Sequence, residues 1–255
     1  MWQGHSVSVV LPTYRESLSI RRVIEDFYAT GVVEEVIVVN NNAEPGTSEA
    51  VAGTGAREVH EPVQGYGHAI RRGLREAATD YVVVCEPDAT FVAGDIFKLL
   101  SFADNFDVVY GSRTSQQLIW NGANMGRLLR WGNWAVAKYL ELLYNATNLT
   151  DVGCTMRLLR IEAARALEPY FTIGGNEFGP EMMIKSLRSG FRVVQIPVNY
   201  LPRVGTSSVT GHPVKAVVLG LRMISLITRL RFLPAQAVLN ANPTAAERDA
   251  VMSRR

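Results

Sequence analysis

Short apolar runs alternate with stretches of helical periodicity in the first part of the chain. In one such stretch apolar side chains recur every three or four positions, at Ile20, Val23, Ile24 and Phe27, which predicts a helix with one buried face. The apolar runs predict strands at 7–11, 36–39, 58–60, 81–85 and 107–110, and the periodic stretches predict helices at 19–30, 47–53, 65–78 and 95–102. Strands that alternate with helices are typical of an α/β fold with a largely parallel sheet and helices on both faces.

The pattern changes after residue 113, where longer helices appear. Helices are predicted at 126–147, 161–167, 180–189 and 213–232, and strands at 155–159 and 192–196. The last helix is strongly apolar but carries Lys215, Arg222, Arg229 and Arg231. A helix that spans a bilayer needs about 20 residues largely free of charge, so we do not expect this one to cross a membrane. We expect an amphipathic helix that lies on a membrane surface, packs in the core or forms a homodimer.

Composition adds few constraints. The 255 residues are 47% apolar and 20% charged, which is ample for one large core, and the residues from 236 to 255 lack a core pattern and predict a flexible tail. A net charge of +2 by itself indicates no partner, and we expect no nucleic acid. Cys85 and Cys154 lie in or beside apolar runs, as reduced thiols of a cytoplasmic protein do. The first residues show no leader pattern, which also favours the cytoplasm.

Two carboxylates, Glu86 and Asp88, directly follow the apolar run at 81–85. Side chains two positions apart on an extended strand point to the same side, so both acids can face one ligand. They lie at the predicted carboxyl end of a strand, where open α/β sheets bind ligands. The pair therefore predicts a hard divalent cation that also holds substrate phosphates. The alternative is an acidic turn that caps the next helix.

Polar loops follow three other predicted strands and are expected at the same edge of the sheet. They are the segments 12–16, 40–42 and 111–113. Asparagine amides at 40–42 can hold a nucleotide through its base and ribose, or form a plain turn. Gly65 and Gly67, before a helix, are a weak phosphate-loop signal and are also typical of a tight turn.

Charged groups later in the chain offer further candidates. Arg113 and Arg130 can bind phosphate oxygens in a bidentate geometry or be solvated surface arginines. Glu181 is a candidate general base or an acid favoured at the start of a helix. The polar segment 203–208 predicts either a lid over a bound phosphate or a connecting turn.

The order and spacing of these motifs resemble family 2 inverting glycosyltransferases. The segments that carry the resemblance are LPTYRE at 11–16, VNNN at 39–42, GYGHA at 65–69, EPD at 86–88 and GSR at 111–113. The continuation resembles the branch of dolichol- or polyprenol-phosphate mannosyltransferases, through RWGN at 130–133, DVGCTMR at 151–157, and the segments 177–181, 196–198 and 203–208. The resemblance covers about residues 5–232.

The resemblance implies a GT-A fold, with a Rossmann-like sheet, that binds a GDP- or UDP-sugar together with Mg²⁺ or Mn²⁺. It places the metal at Glu86 and Asp88, and gives Asp88 a catalytic role. We expect the donor at Pro12, Tyr14, Glu16, Asn40, Asn42, Gly67 and Glu86, and the acceptor or its phosphate at Arg113, Arg130, Arg203 and Ser207. One domain is expected over 1–235, with a nucleotide-sugar half at 1–115, an acceptor half at 116–212 and an interface helix at 213–233.

Two departures from the family pattern affect the site. Glu86 is one methylene longer than the usual first aspartate, and Pro87 fixes the backbone beside it, so Asp88 is the safer metal ligand. Asn40 and Asn42 stand near the position where relatives usually carry an aspartate, which leaves the identity of the base open. The pattern lacks the spanning helices of some relatives, which implies a soluble enzyme or one peripheral on the cytoplasmic face of the membrane.

We expect transfer of a sugar from the nucleotide to a polyprenyl phosphate, whose anionic oxygen needs no strong base. If the acceptor is instead a hydroxyl of a soluble small molecule or glycan, Asp151 or Glu181 is the expected general base. A sugar nucleotidyltransferase is disfavoured, because that class carries a Gly-, Arg- and Lys-rich loop where this chain has the segment 12–16. A non-catalytic relative that only binds a nucleotide sugar is a further alternative.

Overall fold

A computed structural model of the chain describes residues 1–146, 148–205 and 213–233. Ser207 and the predicted tail at 236–255 lie outside the described residues.

Within the described residues, seven strands form one sheet. They are β1 Val7–Thr13, β2 Glu35–Asn40, β3 Arg57–His60, β4 Tyr81–Val84, β5 Val108–Ser112, β6 Arg157–Arg160 and β7 Val193–Pro197. Their order is β3-β2-β1-β4-β6-β5-β7. Neighbouring strands are parallel except at β6, which is antiparallel to both β4 and β5. The predicted, mostly parallel sheet is confirmed, with one strand reversed in its middle.

Helices cover both faces of this sheet, as the alternation of elements predicts. They are α1 Ile20–Ala29, α2 Thr47–Val51, α3 Tyr66–Glu76, α4 Ile96–Phe102, α5 Arg127–Tyr144, α6 Ile161–Leu167, α7 Phe178–Arg188 and α8 Pro213–Phe232. Alternate side chains of β1 enter the two layers: Val9 and Leu11 pack with α1 and α4, whereas Val10 packs with α3. Burial of both faces explains why the central strands are continuous apolar runs.

The carboxyl ends of the parallel strands meet at one edge of the sheet. In the register of the sheet, Thr13 of β1 lies opposite Asn40 of β2, and Asn40 lies opposite His60 of β3. β4 and β5 end at the same edge, so their following loops join those after β1 and β2. Because β6 runs the other way, the segment that precedes it, 151–156, also reaches this edge.

Helix α8 packs one of its sides against α5 and α7. The Tyr139 and Thr228 hydroxyls lie 2.8 Å apart, and the Tyr144 hydroxyl donates a 3.0 Å hydrogen bond to the Ile227 carbonyl. The buried apolar side chains of α8 are Met223, Leu226, Ile227 and Leu230. Its opposite side exposes Val214, Val217, Val218, Leu221 and Ile224. Helix α8 thus carries apolar residues on both its buried and its exposed side, and none of the helices in the described ranges is long and apolar enough to cross a bilayer.

Close packing of α3 on β1 makes a stability prediction. A Cβ at Gly73 would lie 2.1 Å from Val10 Cγ1. Although alanine favours a helix over glycine, we expect Gly73→Ala to lower the free energy of unfolding by about 1–3 kcal/mol, because the buried methyl overpacks the core. Urea denaturation measures this change.

Gly132 in α5 is the matched control, since a Cβ there meets no atom within 4 Å. Gly132→Ala should raise stability by about 0.5–1 kcal/mol through helix propensity alone. Equal effects of the two substitutions would contradict the packing of α3 on β1.

Candidate active site

The loop after β4 holds Asp88 in a fixed orientation. Asp88 is 1% exposed, and its Oδ1 accepts hydrogen bonds from the Thr90 backbone nitrogen (3.0 Å) and hydroxyl (2.5 Å). Ala89, between them, has a φ of +62°, a conformation that costs a residue with a Cβ some free energy. This turn is therefore locally strained, and it leaves the other carboxylate oxygen, Oδ2, without a hydrogen bond to Thr90.

Glu86 lies beside Asp88 and has a strongly perturbed carboxyl. Burial and the nearby Asp88 carboxylate raise the pKa of Glu86 to about 7, against the opposing effect of Arg203. A carboxylate with a raised pKa is disfavoured in its charged form until positive charge is supplied to it. The two acids predicted for the cation thus lie together at the edge of the sheet.

Arg203 connects the loops that follow β1 and β4. Its Nη2 lies 3.2 Å from Glu16 Oε1 and 3.2 Å from Asp88 Oδ2. The backbone beside it is tied down as well, because the Val204 nitrogen donates to the Asp88 carbonyl (3.0 Å) and the Leu201 nitrogen to the Thr90 carbonyl (2.8 Å).

The loop after β1 is organised by its own acid. Glu16 Oε2 accepts hydrogen bonds from the backbone nitrogens of Tyr14 and Arg15, both at 2.8 Å. Tyr14 keeps an exposed ring at the edge of the sheet, with the Arg15 guanidinium 4.9 Å from its centroid. Pro12 lies within β1. An exposed aromatic ring here can stack on a base, whereas Glu16 shapes the loop and holds Arg203.

Asn40, at the end of β2, and Asn42, just after it, form hydrogen bonds with other residues of the chain. Asn40 Nδ2 donates to Glu58 Oε1 (2.8 Å), and its Oδ1 accepts from the Ala43 nitrogen (2.9 Å). Asn42 Nδ2 donates to the Pro62 carbonyl (3.1 Å). The bonds to Glu58 and Pro62 tie the end of β2 and the loop after it to β3 and the segment that follows β3. Contact of Asn40 and Asn42 with a donor stays a prediction.

Gly67 is required for close packing. Its nitrogen donates to the Gly174 carbonyl (2.8 Å), and a Cβ would lie 2.3 Å from the Ile173 carbonyl oxygen. The start of α3 therefore rests directly on the loop before α7, and donor contact at Gly67 stays a prediction.

Arg113 and Asp151 form a buried ion pair next to the acids. Arg113 Nε and Nη2 donate to the two oxygens of Asp151 at 2.8 and 3.0 Å, and the Arg113 backbone nitrogen adds a third bond at 3.0 Å. Burial alone would raise the pKa of Asp151, but the guanidinium and these hydrogen bonds outweigh it and lower that pKa. A carboxylate with a lowered pKa is a weak proton acceptor.

Glu181, the other predicted base, and Arg130, the other predicted phosphate ligand, lie in surroundings different from those of the Arg113–Asp151 pair. Glu181 is fully buried, where it accepts from the backbone nitrogens of Thr172 (2.8 Å) and Ile173 (2.9 Å) and pairs with Lys185 (2.8 Å). These contacts are typical of a carboxylate that supports a loop. Arg130 is half-buried and donates to the side-chain oxygen of Gln116 (3.2 Å), and its contact with a phosphate stays a prediction.

Three residues that the sequence did not single out support the site. Gln195 Oε1 accepts from the backbone nitrogens at 150 and 151, and its Nε2 donates to the carbonyl at 151. Thr90 fixes Asp88. The Tyr200 ring lies 5.3 Å from the Arg113 guanidinium carbon. A threonine two residues after an aspartate is a local turn signal that predicts the contact of Thr90. The contacts of Gln195 and Tyr200 join distant segments, and no local pattern announces them.

Glu86 and Asp88 suit a cation that is also coordinated by the substrate. Among the residues described, no group of three or more His, Cys, Asp or Glu side chains is placed to hold a metal. Mg²⁺ and similar hard cations are commonly held by one or two carboxylates together with substrate phosphates. Glu86 and Asp88 fit that mode, in which a substrate diphosphate and water would supply the remaining ligands.

Comparison with known sequences agrees with this geometry. Residues 8–167 match Glycosyl transferase family 2. An uncharacterized glycosyltransferase of Mycobacterium tuberculosis is 31% identical over 206 residues, which cover 80% of this chain and 89% of that protein. A dolichyl-phosphate hexose transferase of Haloferax volcanii is 28% identical over 200 residues (78% and 84%). An undecaprenyl-phosphate mannosyltransferase of Micrococcus luteus is 24% identical over 247 residues (90% and 98%).

Solved structures show the same fold. Glucosyl-3-phosphoglycerate synthase from Mycobacterium tuberculosis, in complex with Mn²⁺, UDP and phosphoglyceric acid, superposes with a TM-score of 0.68 at 19% identity, over 91% of this chain and 80% of that one. Its complex with Mg²⁺ and UDP gives 0.68 at 18% identity, over 89% and 79%. Identities this low show the fold alone, and they confirm the expected GT-A fold.

The raised pKa of Glu86 predicts a pH-dependent stability. The folded pKa of about 7 lies above the ordinary value of about 4.3, so folding is penalised above pH 7 and the penalty fades as the pH falls towards 4.5. Without divalent cations, Glu86→Gln should therefore be more stable than the parent protein at pH 8. We expect a gain of about 1–2 kcal/mol, discounted for partial contact with solvent, that vanishes near pH 4.5.

Urea denaturation at several pH values, with a chelator present, measures this difference. Glu25→Gln is the control, because Glu25 is 59% exposed on α1 and should give a nearly constant difference. Parallel pH profiles for Glu86→Gln and the parent protein would contradict the raised pKa of Glu86.

Proposed function

Because the chain belongs to glycosyl transferase family 2, we propose that this glycosyltransferase moves a hexose from a nucleotide-sugar donor to a polyprenyl phosphate, with inversion at the anomeric carbon. One observation carries the choice of acceptor: helix α5, whose Asn133 approaches Gly153 together with Arg113, exposes an apolar and basic surface. Relatives named for dolichyl and undecaprenyl phosphate support the same choice.

The donor diphosphate is proposed to bind at Glu86 and Asp88 together with Mg²⁺ or Mn²⁺. Bound there, the cation would neutralise charge on the departing nucleoside diphosphate. Thr90 holds Asp88 in place for this contact, and the exposed Tyr14 ring is placed to stack on the base. Solved relatives of the same fold contain UDP with Mn²⁺ or Mg²⁺, which supports the assignment.

The acceptor surface is formed by the first turns of α5. Leu128 is 67% exposed, Trp131 58% and Trp134 40%, and they alternate with Arg127 and Arg130. Apolar and aromatic side chains mixed with arginines are typical of a helix that lies at an anionic lipid surface. The exposed side of α8 would extend the same contact.

Helix α5, which carries this surface, reaches the catalytic edge. Asn133 of α5 and Arg113 flank Gly153: a Cβ at Gly153 would meet Arg113 Nη2 at 2.9 Å and Asn133 Oδ1 at 3.1 Å. A lipid phosphate held by the arginines can thus reach the donor while its chain stays on α5. We propose peripheral attachment to the membrane through this surface.

A phosphate acceptor also suits the proton chemistry. Its oxygen is already anionic at neutral pH, so attack on the anomeric carbon requires no base. Asp151, one of the two predicted bases, has a lowered pKa and is held by Arg113. We assign Asp151 to the positioning of Arg113, which would orient the acceptor phosphate.

A thermal-shift panel tests the donor assignment. We expect UDP or GDP, at about 100 times its Kd, to raise the Tm by about 5–10 °C, and only when Mn²⁺ is present. Asp88→Asn should keep the basal Tm within a few degrees and lose this Mn²⁺-dependent increase. A nucleotide-induced increase in Tm that needs no Mn²⁺ and is unchanged by Asp88→Asn would contradict the placement of the diphosphate.

A transfer assay tests the acceptor. With vesicles that contain polyprenyl phosphate, the double variant Leu128→Glu and Trp131→Glu should lose at least about tenfold in transfer rate, because charge disfavours lipid contact. Nucleotide binding in the same variant should be unchanged. Phe102→Glu is the matched control, since Phe102 is 38% exposed on α4, on the opposite face of the sheet.

Two results would contradict the lipid acceptor. One is full transfer to polyprenyl phosphate by the double variant. The other is transfer by the parent protein to a soluble phosphorylated acid, such as phosphoglycerate, with none to the lipid phosphate.

A further inference from the structure

We propose that Arg203 competes with the divalent cation for Asp88, so that the cation binds only by displacing this guanidinium. The inference rests on the proposed function, because it takes Asp88 as a cation ligand. It adds a resident competitor to the site, which makes cation binding weak until a donor diphosphate contributes further ligands.

The hydrogen bonds of Asp88 leave one oxygen for both partners. Oδ1 is taken by the backbone nitrogen and hydroxyl of Thr90, at 3.0 and 2.5 Å. The remaining oxygen, Oδ2, is the one that lies 3.2 Å from Arg203 Nη2. A cation at about 2.1 Å from this oxygen and a guanidinium at hydrogen-bond distance from it would lie only a few ångströms apart. Their repulsion in a largely buried site makes simultaneous binding unfavourable.

Glu16 keeps Arg203 in this place. Its Oε2 is used by the Tyr14 and Arg15 nitrogens, and its Oε1 lies 3.2 Å from the same Arg203 Nη2 that approaches Asp88. Backbone bonds from Leu201 and Val204 to the loop after β4 hold the flanking chain. The guanidinium is therefore present at high effective concentration and opposes any cation at Oδ2.

The contacts of Arg203 are those of an exchangeable partner. One nitrogen approaches two acids at 3.2 Å, and the side chain is 21% exposed. By contrast, Arg113 binds Asp151 with two nitrogens at 2.8 and 3.0 Å and is 11% exposed. Single, longer contacts cost less to break than a bidentate pair, so Arg203 is the arginine that a cation can displace.

The test is a titration of the full chain with Mn²⁺ alone, in which free Mn²⁺ is measured by electron paramagnetic resonance. Arg203→Gln should bind Mn²⁺ at least about tenfold more tightly than the parent protein without any nucleotide. Arg203→Lys, which keeps the charge but cannot reproduce the planar guanidinium, should fall between the two. Arg22→Gln is the control, because Arg22 is 78% exposed on α1, and its Mn²⁺ affinity should equal that of the parent.

The outcomes separate this inference from the proposed function. Mn²⁺ affinity in Arg203→Gln and Arg203→Lys that equals or falls below the parent value, while the parent binds Mn²⁺ with UDP or GDP, would overturn the competition alone. Absence of Mn²⁺ binding in every variant, even with nucleotide, would overturn the cation assignment and the competition together. Adding Asp88→Asn to Arg203→Gln should abolish the gain, and persistence of the gain would place the cation elsewhere and overturn the inference.

Discussion

Negative charge gathered at the carboxyl edge of the sheet is the constraint around which the candidate active site is organised. Parallel pairing of β1 with β4 brings the loops of Glu16, Glu86 and Asp88 side by side. Burial and the nearby Asp88 carboxylate together raise the pKa of Glu86 and disfavour its charged form. Positive charge must therefore enter the cluster, and Arg203 supplies it from the segment that follows β7. The same demand makes the edge suitable for a divalent cation with a diphosphate.

A second charge pair at this edge has a different character. Arg113 and Asp151 meet because β6 is reversed, which turns the segment before that strand towards the loop after β5. Gln195 fixes the backbone of that segment. Bidentate geometry and burial make the pair costly to break, at about 3–5 kcal/mol when one partner of a buried pair is removed. The edge thus combines Arg113, held in a buried bidentate pair, with Arg203, which makes single and longer contacts to two acids.

Helices α5 and α8 connect this edge to the outer surface of the molecule. They pack on each other through the side of α8 that buries Leu226 and Ile227. Only some of their apolar side chains pack in the core, and the others are exposed on the surface. Exposed apolar surface of this kind usually marks an interaction site, and the proposed function assigns it to the acceptor.

Local pattern determined much of this protein. Periodicity predicted the helices and strands to within a few residues, because each element shows its buried face in its own sequence. The acids after β4 and the polar loops after β1, β2 and β5 were predicted on one edge, since parallel strands end together. The motifs also identified the family, and the spacing of Asp88 and Thr90 contained a turn signal.

Only the tertiary structure decided the direction of β6 and the partners of the charged side chains. An apolar run has the same pattern in either direction, so the reversal that brings Asp151 to Arg113 is invisible in it. Arg203 lies 187 residues from Glu16, and their contact depends on the whole sheet being assembled. Burial, likewise, is a property of the packed molecule, and it removed Glu181 from solvent and raised the pKa of Glu86.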